Sequence, residues 1–84
     1  MVKCSASPDK TQILVQVLIT NKDDKTVSIE LEFRGIDENG KPLTHETEMI
    51  EDIPPGKAIL AERVIGMVPN MVGCAGFVND AWYS

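Results

Sequence analysis

Hydrophobic and polar residues alternate with a period of two along much of this chain, which is the spacing of a β-strand with one buried face. The alternation is cleanest from Thr26 onward. One side there carries Val27, Ile29, Leu31 and Phe33, and the other carries Ser28, Glu30, Glu32 and Arg34. Residues 11–20 follow the same rule with Ile13, Val15, Val17 and Ile19 on one face. The pattern predicts two long strands.

Turn-forming residues separate these strands from four further ones. The apolar-free run 21–25 predicts a hairpin loop, and the run Asp37–Lys41 predicts a second reversal with Gly40 in the left-handed position of a three-residue hairpin loop. Pro54-Pro55-Gly56 must leave the sheet, because proline donates no ladder hydrogen bond. Residues 57–65 are compatible with a short helix by composition, but the β context favours a strand. Strands at 2–6, 43–50, 57–65 and 72–80 complete a set of six.

The hairpin at Asp37–Lys41 also predicts a register. Pairing its two ends places Phe33 opposite His45 and Leu31 opposite Thr47 on the inner face. The strand at 43–50 is polar on both faces, so we expect it at a sheet edge, where Thr47 is available to a partner strand. The same register gathers a row of carboxylates on the outer face, Glu30, Glu32, Glu46 and Glu48. That row either attracts a cation or basic partner or is a solvated, aggregation-resistant surface.

Six short strands joined by hairpins and one Pro-Gly crossover predict an all-β domain over residues 1–84. A small antiparallel immunoglobulin-like β-sandwich is the expected architecture, because two layers bury the alternating faces. A small open β-barrel is the alternative.

Charge and size exclude several functions. A net charge of −5 over 84 residues leaves no basic surface for nucleic acid or an anionic membrane. No apolar run reaches the roughly 20 residues that cross a bilayer, so we expect no membrane insertion. With one histidine and no nucleophile motif, no catalytic set is recognisable, and neither an enzyme nor a cofactor is predicted.

The two cysteines, Cys4 and Cys74, lie near opposite ends of the sequence and lack the spacing of a zinc or thiol-exchange motif. Paired, they would close most of the chain into one loop, a link worth about 4 kcal/mol in the chain-entropy model. A disulfide would indicate an extracytoplasmic compartment, whether periplasm, cell surface or secreted. Two free thiols would indicate the cytoplasm.

Two further residue groups suggest binding. Thioether and imidazole ligands suit Cu(I), and the candidate set is His45, Met49, Met67 and Met71. Methionine is also ordinary core filler. Phe77, Trp82 and Tyr83 cluster in the last eight residues. Either Phe77 fills the core with Trp82 covering its end, or Trp82 and Tyr83 anchor a docking surface.

The order of these features resembles the FxLyD domain family, small immunoglobulin-like β-sandwiches of bacterial and archaeal envelope proteins. The resemblance covers residues 13–65 and lies in Ile19-Thr20-Asn21, Phe33-Arg34-Gly35-Ile36-Asp37, Asn39-Gly40-Lys41 and Ile53-Pro54-Pro55-Gly56. Gly35 and Ile36 stand where the family carries leucine and tyrosine. The resemblance implies a fold and an envelope setting, and no catalytic residues.

Together these observations predict a non-enzymatic accessory or interaction domain of an exported or envelope-associated protein. Its partner would be another protein or the rest of its parent chain. A Cu(I) carrier and a structural spacer are the alternatives.

Overall fold

The computed structural model describes residues 1–84. Val, Ile and Thr, which prefer a pleated surface, supply five of the nine residues in the strand Gln12–Thr20. The six strands are β1 Val2–Ala6, β2 Gln12–Thr20, β3 Val27–Ile36, β4 Pro42–Ile53, β5 Ala58–Gly66 and β6 Gly73–Tyr83. The segment 58–66 is a strand, so the predicted preference over a helix is confirmed. β6 continues three residues beyond the predicted end of the last strand, through Ala81, Trp82 and Tyr83.

The strands form two antiparallel three-stranded sheets, ordered β1-β2-β5 and β4-β3-β6. The chain changes sheet at Pro54-Pro55-Gly56, where Gly56 has a φ of 74°. The predicted crossover and the predicted all-β sandwich are confirmed, and the sheets do not close into the alternative barrel. The predicted hairpin at 21–25 is wrong, because β2 and β3 lie in different sheets and this loop is also a crossover, as is the connection from β5 to β6. β2 and β3 are the central strands, while β1, β5, β4 and β6 are edges.

The core lies between the central strands and contains the predicted inward rows. Val15, Leu31 and Phe33 have no exposed surface. The remaining members of this cluster are Ile13, Val17, Ala61, Ile65 and Met71. Burying these apolar faces against each other is the principal gain that two facing sheets offer.

Gly76 determines which residues of β6 point inward and which point outward. It lies opposite Phe33, and a Cβ added there would be 2.5 Å from Val17 Cγ2. Only a residue without a side chain fits this inner position, so the next residue, Phe77, points outward. The expectation that Phe77 fills the core is therefore wrong. Its ring instead faces the guanidinium of Arg34, whose carbon is 4.7 Å from the ring centroid.

The hairpin between β3 and β4 turns as predicted but continues in a different register. Asp37 N–H donates to the carbonyl oxygen of Lys41, and Gly40 has a φ of 79°. Leu43 is then an extra residue, because Ile36 pairs with Pro42 whereas Gly35 pairs with Thr44. This β-bulge shifts the pairs from Gly35 to Ile29 by one position, and a second irregularity between Ile29 and Val27 adds a further shift.

The shift exchanges the two faces of β4. Phe33 lies opposite Glu46 and Leu31 opposite Glu48, so the predicted partners His45 and Thr47 are wrong. Glu46 and Glu48 thus lie on the inner side, which is tolerable because β4 is an edge strand and both carboxylates remain partly exposed. The predicted row of four outer glutamates does not form.

Arg63 of β5 forms ion pairs with the two carboxylates that lie on the inner side of β4. Its Nε lies 3.1 Å from Glu46 Oε1, and its Nη1 lies 3.5 Å from Glu48 Oε1. These ion pairs join the two sheets along the side where β4 faces β5. A partly exposed pair is worth only about 0–1 kcal/mol, so its main effect is to give the inward carboxylates a partner.

The opposite side of the sandwich is closed by the disulfide between Cys4 of β1 and Cys74 of β6, which confirms the predicted pairing. β1 and β6 belong to different sheets, and the Cα atoms of the two cysteines are 6.0 Å apart. The bond therefore holds the two edge strands of this side together.

Asn21 links the loop after β2 to the turn after β4. Its Nδ2 donates to the carbonyl oxygens of Lys25 and Ile53, both at 2.9 Å, and its Oδ1 accepts from the N–H of Asp23. Its backbone N–H donates to Lys57, and its carbonyl oxygen accepts from Gly56. The side chain is buried, so these bonds form away from water.

Replacement of Asn21 by aspartate should lower the free energy of unfolding by about 2–4 kcal/mol, because two buried donor bonds are lost and a carboxylate then faces two carbonyl oxygens. Urea denaturation under non-reducing conditions measures the change. Asn39→Asp, in the exposed hairpin turn, is the matched control and should change stability by less than about 0.5 kcal/mol. Equal effects of the two variants would contradict the role of Asn21.

The double variant Cys4→Ser, Cys74→Ser should lose about 4 kcal/mol of stability, since the disulfide closes a loop of 70 residues. Intact mass before and after reduction reports the bond itself. A wild-type mass that does not rise by two protons on reduction would show that the bond is absent.

Candidate interaction site

The second half of β6 is an edge with no strand on its outer side. β3 is its only hydrogen-bonded neighbour. Within the segment Val78–Tyr83, which we call the free edge, Val78 is 45% exposed, Trp82 39% and Tyr83 61%. Exposed apolar side chains on an unpaired edge are a typical arrangement for protein contacts.

The backbone of the free edge presents hydrogen-bonding groups to solvent. Ser84 N–H donates to the carbonyl oxygen of Thr26 at 3.1 Å. Because the pairs of an antiparallel ladder alternate, the backbone groups of Tyr83 and Ala81 point away from β3. The Ala81 N–H is bonded to the carboxylate of Asp80, its own neighbour, at 2.9 Å. Asp80 therefore caps one of the donors that an added strand would use.

An apolar groove runs along the inner side of the free edge. The ladder between β1 and β2 extends to Met1 and Leu18, and Ile19 beyond it lines the groove. The groove has a volume of about 270 Å³. Its apolar lining is formed by Ile19, Val27, Ile29, Ile53, Val78 and Ala81. A neighbouring depression of about 410 Å³ is lined by Trp82, Tyr83 and Asp23 among others.

Tyr83, which lines the neighbouring depression, makes polar contacts with the loop after β2. Its hydroxyl donates to Asp23 Oδ2 at 3.0 Å, and Lys25 Nζ lies 5.0 Å from the ring centroid. The bond to the carboxylate raises the pKa of Tyr83 above its ordinary value and, reciprocally, lowers the pKa of Asp23. The contact orders the ring without burying it.

The outer face beside the free edge is acidic. Asp80 pairs with Glu30 of β3, and Asn79 Nδ2 donates to Glu30 Oε1 at 3.3 Å. All three ion pairs of the molecule lie elsewhere, with Glu32 on Arg34 and with Glu46 and Glu48 on Arg63. Glu30 and Asp80 thus have no basic partner, and Glu30 is separated from Glu46 and Glu48 by the changed register.

β4 is an edge strand, which confirms that prediction, and Thr47 is exposed on its outer face. Four carboxylates and a β-bulge accompany this edge, namely Glu46, Glu48, Glu51, Asp52 and the bulge at Leu43. Charges and bulges are the usual protection of an edge against added strands. The free edge of β6 carries only Asp80 and the irregularity at Asn79.

The four candidate Cu(I) ligands are not brought together. Met71 is buried in the core, and Met67 packs against it. His45 and Met49 lie on the outer face of β4, where Met49 is 54% exposed. The sandwich separates the two pairs, because one pair faces inward and the other points to solvent.

Sequence reasoning identified Trp82 and Tyr83 but not the neighbouring Val78, Asp80 and Ala81. Val78 and Asp80 are two residues apart but lie on opposite faces, because the bulge at Asn79 interrupts the period of two. The alternation of the sequence therefore could not reveal them. The one signal in the sequence for these residues was the length of the apolar segment at the end of the chain.

Comparisons with protein-family models, with curated proteins and with solved structures find no match to this chain. The resemblance to FxLyD domains therefore stays a prediction. No helix of the structure is long and apolar enough to cross a membrane.

The phenol of Tyr83 should titrate above the ordinary value of about 10, because ionisation breaks its bond to Asp23 and opposes two negative charges. The stabilisation is complete below that ordinary value and is lost as the pH rises through the raised pKa. Since the chain has one tyrosine, absorbance at alkaline pH reports it directly. Asp23→Asn should return the midpoint towards about 10.

Asp9→Asn, in the turn between β1 and β2, is the matched control for this titration and should leave the midpoint unchanged. A wild-type midpoint that does not respond to Asp23→Asn would contradict the contact between Tyr83 and Asp23.

Proposed function

We propose that the chain is a non-enzymatic protein-interaction module that binds its partner by strand addition at the free edge of β6. The observation that carries the proposal is the unpaired backbone of Ala81 and Tyr83 beside an apolar groove. Main-chain hydrogen bonds to an added strand supply affinity, and the groove selects its side chains.

The choice of β6 over β4 follows from the protection of the two edges. Inward and outward charges accompany β4, and strand addition there would desolvate several carboxylates. At the free edge only Asp80 must move, and the contact would cover exposed Val78 and Tyr83. Burial of this apolar surface then favours binding.

The disulfide supports an extracytoplasmic setting for this activity. Cys4 and Cys74 are bonded, and such bonds persist in oxidising compartments. We place the module in an exported or envelope-associated protein, where the partner is another protein or a further part of the parent chain.

A selection of displayed extended peptides on the oxidised domain tests the proposal. The Ala81→Pro variant removes an outward-facing N–H while leaving the ladder to β3, so it should fold but fail to capture the peptides that wild type enriches. Thermal unfolding checks that the variant is folded.

Thr47→Lys on β4 is the matched control and should retain capture. Loss of capture in Thr47→Lys, with retention in Ala81→Pro, would overturn the assignment to β6 and favour the other edge. Enrichment of no peptide at all would overturn strand addition and favour a structural spacer.

A further inference from the structure

We infer that the strand accepted by the free edge alternates apolar and basic residues, with its apolar side chains in the groove and its basic side chains on the outer face. This inference rests on the proposed function and specifies the chemistry of the partner. It follows from the two different surfaces that flank the free edge.

The inner side determines where the apolar residues go. Ala81 and Tyr83 lie on the inward side of β6, because their partners Ile29 and Val27 are inward residues of β3. Ile29 is buried, whereas Val27 and Val78 are only partly covered, so the groove offers apolar surface that is still open to solvent. A residue added opposite Ala81 would share this side and would bury an aliphatic side chain against that surface.

The outer side determines where the basic residues go. Asp80 and Trp82 alternate with the inward residues and therefore point outward. Asp80 and its neighbour Glu30 form no ion pair within the chain. A strand residue opposite Asp80 would lie directly beside that carboxylate, with Glu30 one strand further away on the same face, so a lysine or arginine there meets complementary charge.

Trp82 favours a second basic residue in the added strand, two positions from the one that faces Asp80. Its side chain is 39% exposed and lies two residues from Asp80 on the same face. A cation above an indole ring is attracted by the ring quadrupole. Two basic residues at positions i and i+2 of the added strand would then face Asp80 and Trp82 in turn, with the aliphatic residue between them in the groove.

The net charge of the chain also favours a basic partner strand. The chain carries −5, so a basic strand is drawn towards it and an acidic one is repelled at low ionic strength. This long-range term does not depend on position, and the experiment must separate it from contacts at the free edge.

Two extended peptides of equal length, one alternating valine with lysine and one alternating valine with glutamate, provide the test. Trp82 is the only tryptophan, so its fluorescence reports binding at the free edge. The lysine peptide should bind at least about tenfold more tightly than the glutamate peptide. The double variant Glu30→Gln, Asp80→Asn should remove most of that preference, and Asp80→Asn preserves an oxygen that can cap Ala81 N–H.

Matched controls separate the free edge from net charge. Glu38→Gln with Glu51→Gln removes two charges from exposed positions elsewhere and should preserve the preference for the lysine peptide. A lysine peptide methylated on alternate backbone nitrogens keeps its charge but cannot complete the ladder, and it should not bind.

The outcomes distinguish the two claims. Equal binding of the lysine and glutamate peptides, with both lost in Ala81→Pro, would overturn the basic partner and leave strand addition intact. Binding of the methylated peptide as tightly as the unmethylated one would show attraction by net charge alone and overturn the inference. Failure of both peptides to bind would overturn strand addition at this edge, together with the inference.

Discussion

The disulfide between Cys4 and Cys74 determines how the two sheets meet on the side where β1 faces β6. It fixes the start of β6 against β1, in the region where Gly76 leaves room for Val17 of β2. The second half of β6 lies beyond this link, and its outer side has no neighbouring strand. A small domain gains much from such a link, because its core alone leaves a narrow stability margin.

On the other side of the sandwich, ion pairs instead of a disulfide link the two sheets. A single arginine, Arg63, bridges from β5 to two carboxylates that the bulge at Leu43 has turned inward. Carboxylates beside Phe33 and Leu31 would be prohibitive in a central strand, since burying a charge without a partner is costly. At an edge they remain hydrated and paired, and they also protect β4 from unwanted strand addition. The two sides therefore differ in exposure to partners as well as in chemistry.

Strand positions and the inward rows were predictable because a period of two is a direct property of the extended backbone. The turns at Gly40 and Pro54-Pro55-Gly56 were predictable because glycine and proline have distinctive backbone angles. The register of β4 was not predictable, since an inserted residue such as Leu43 leaves no local signature and exchanges both faces. Phe77 was misplaced for a related reason: Gly76 takes the inward position, which depends on the proximity of Val17 across the sandwich. Long-range partners such as Arg63 with Glu46, and the absence of a strand on the outer side of β6, become visible only with the topology.

The central claim is that the second half of β6 has one hydrogen-bonded side and one open side. Residue-resolved amide hydrogen exchange of the isolated domain tests it most directly. The amides of Asp80 and Trp82, which face β3, should be protected, whereas the amide of Tyr83 should exchange at nearly the rate of an unstructured chain. Protection of Tyr83 equal to that of Trp82 would show that the outer side of β6 is already covered and would contradict the account.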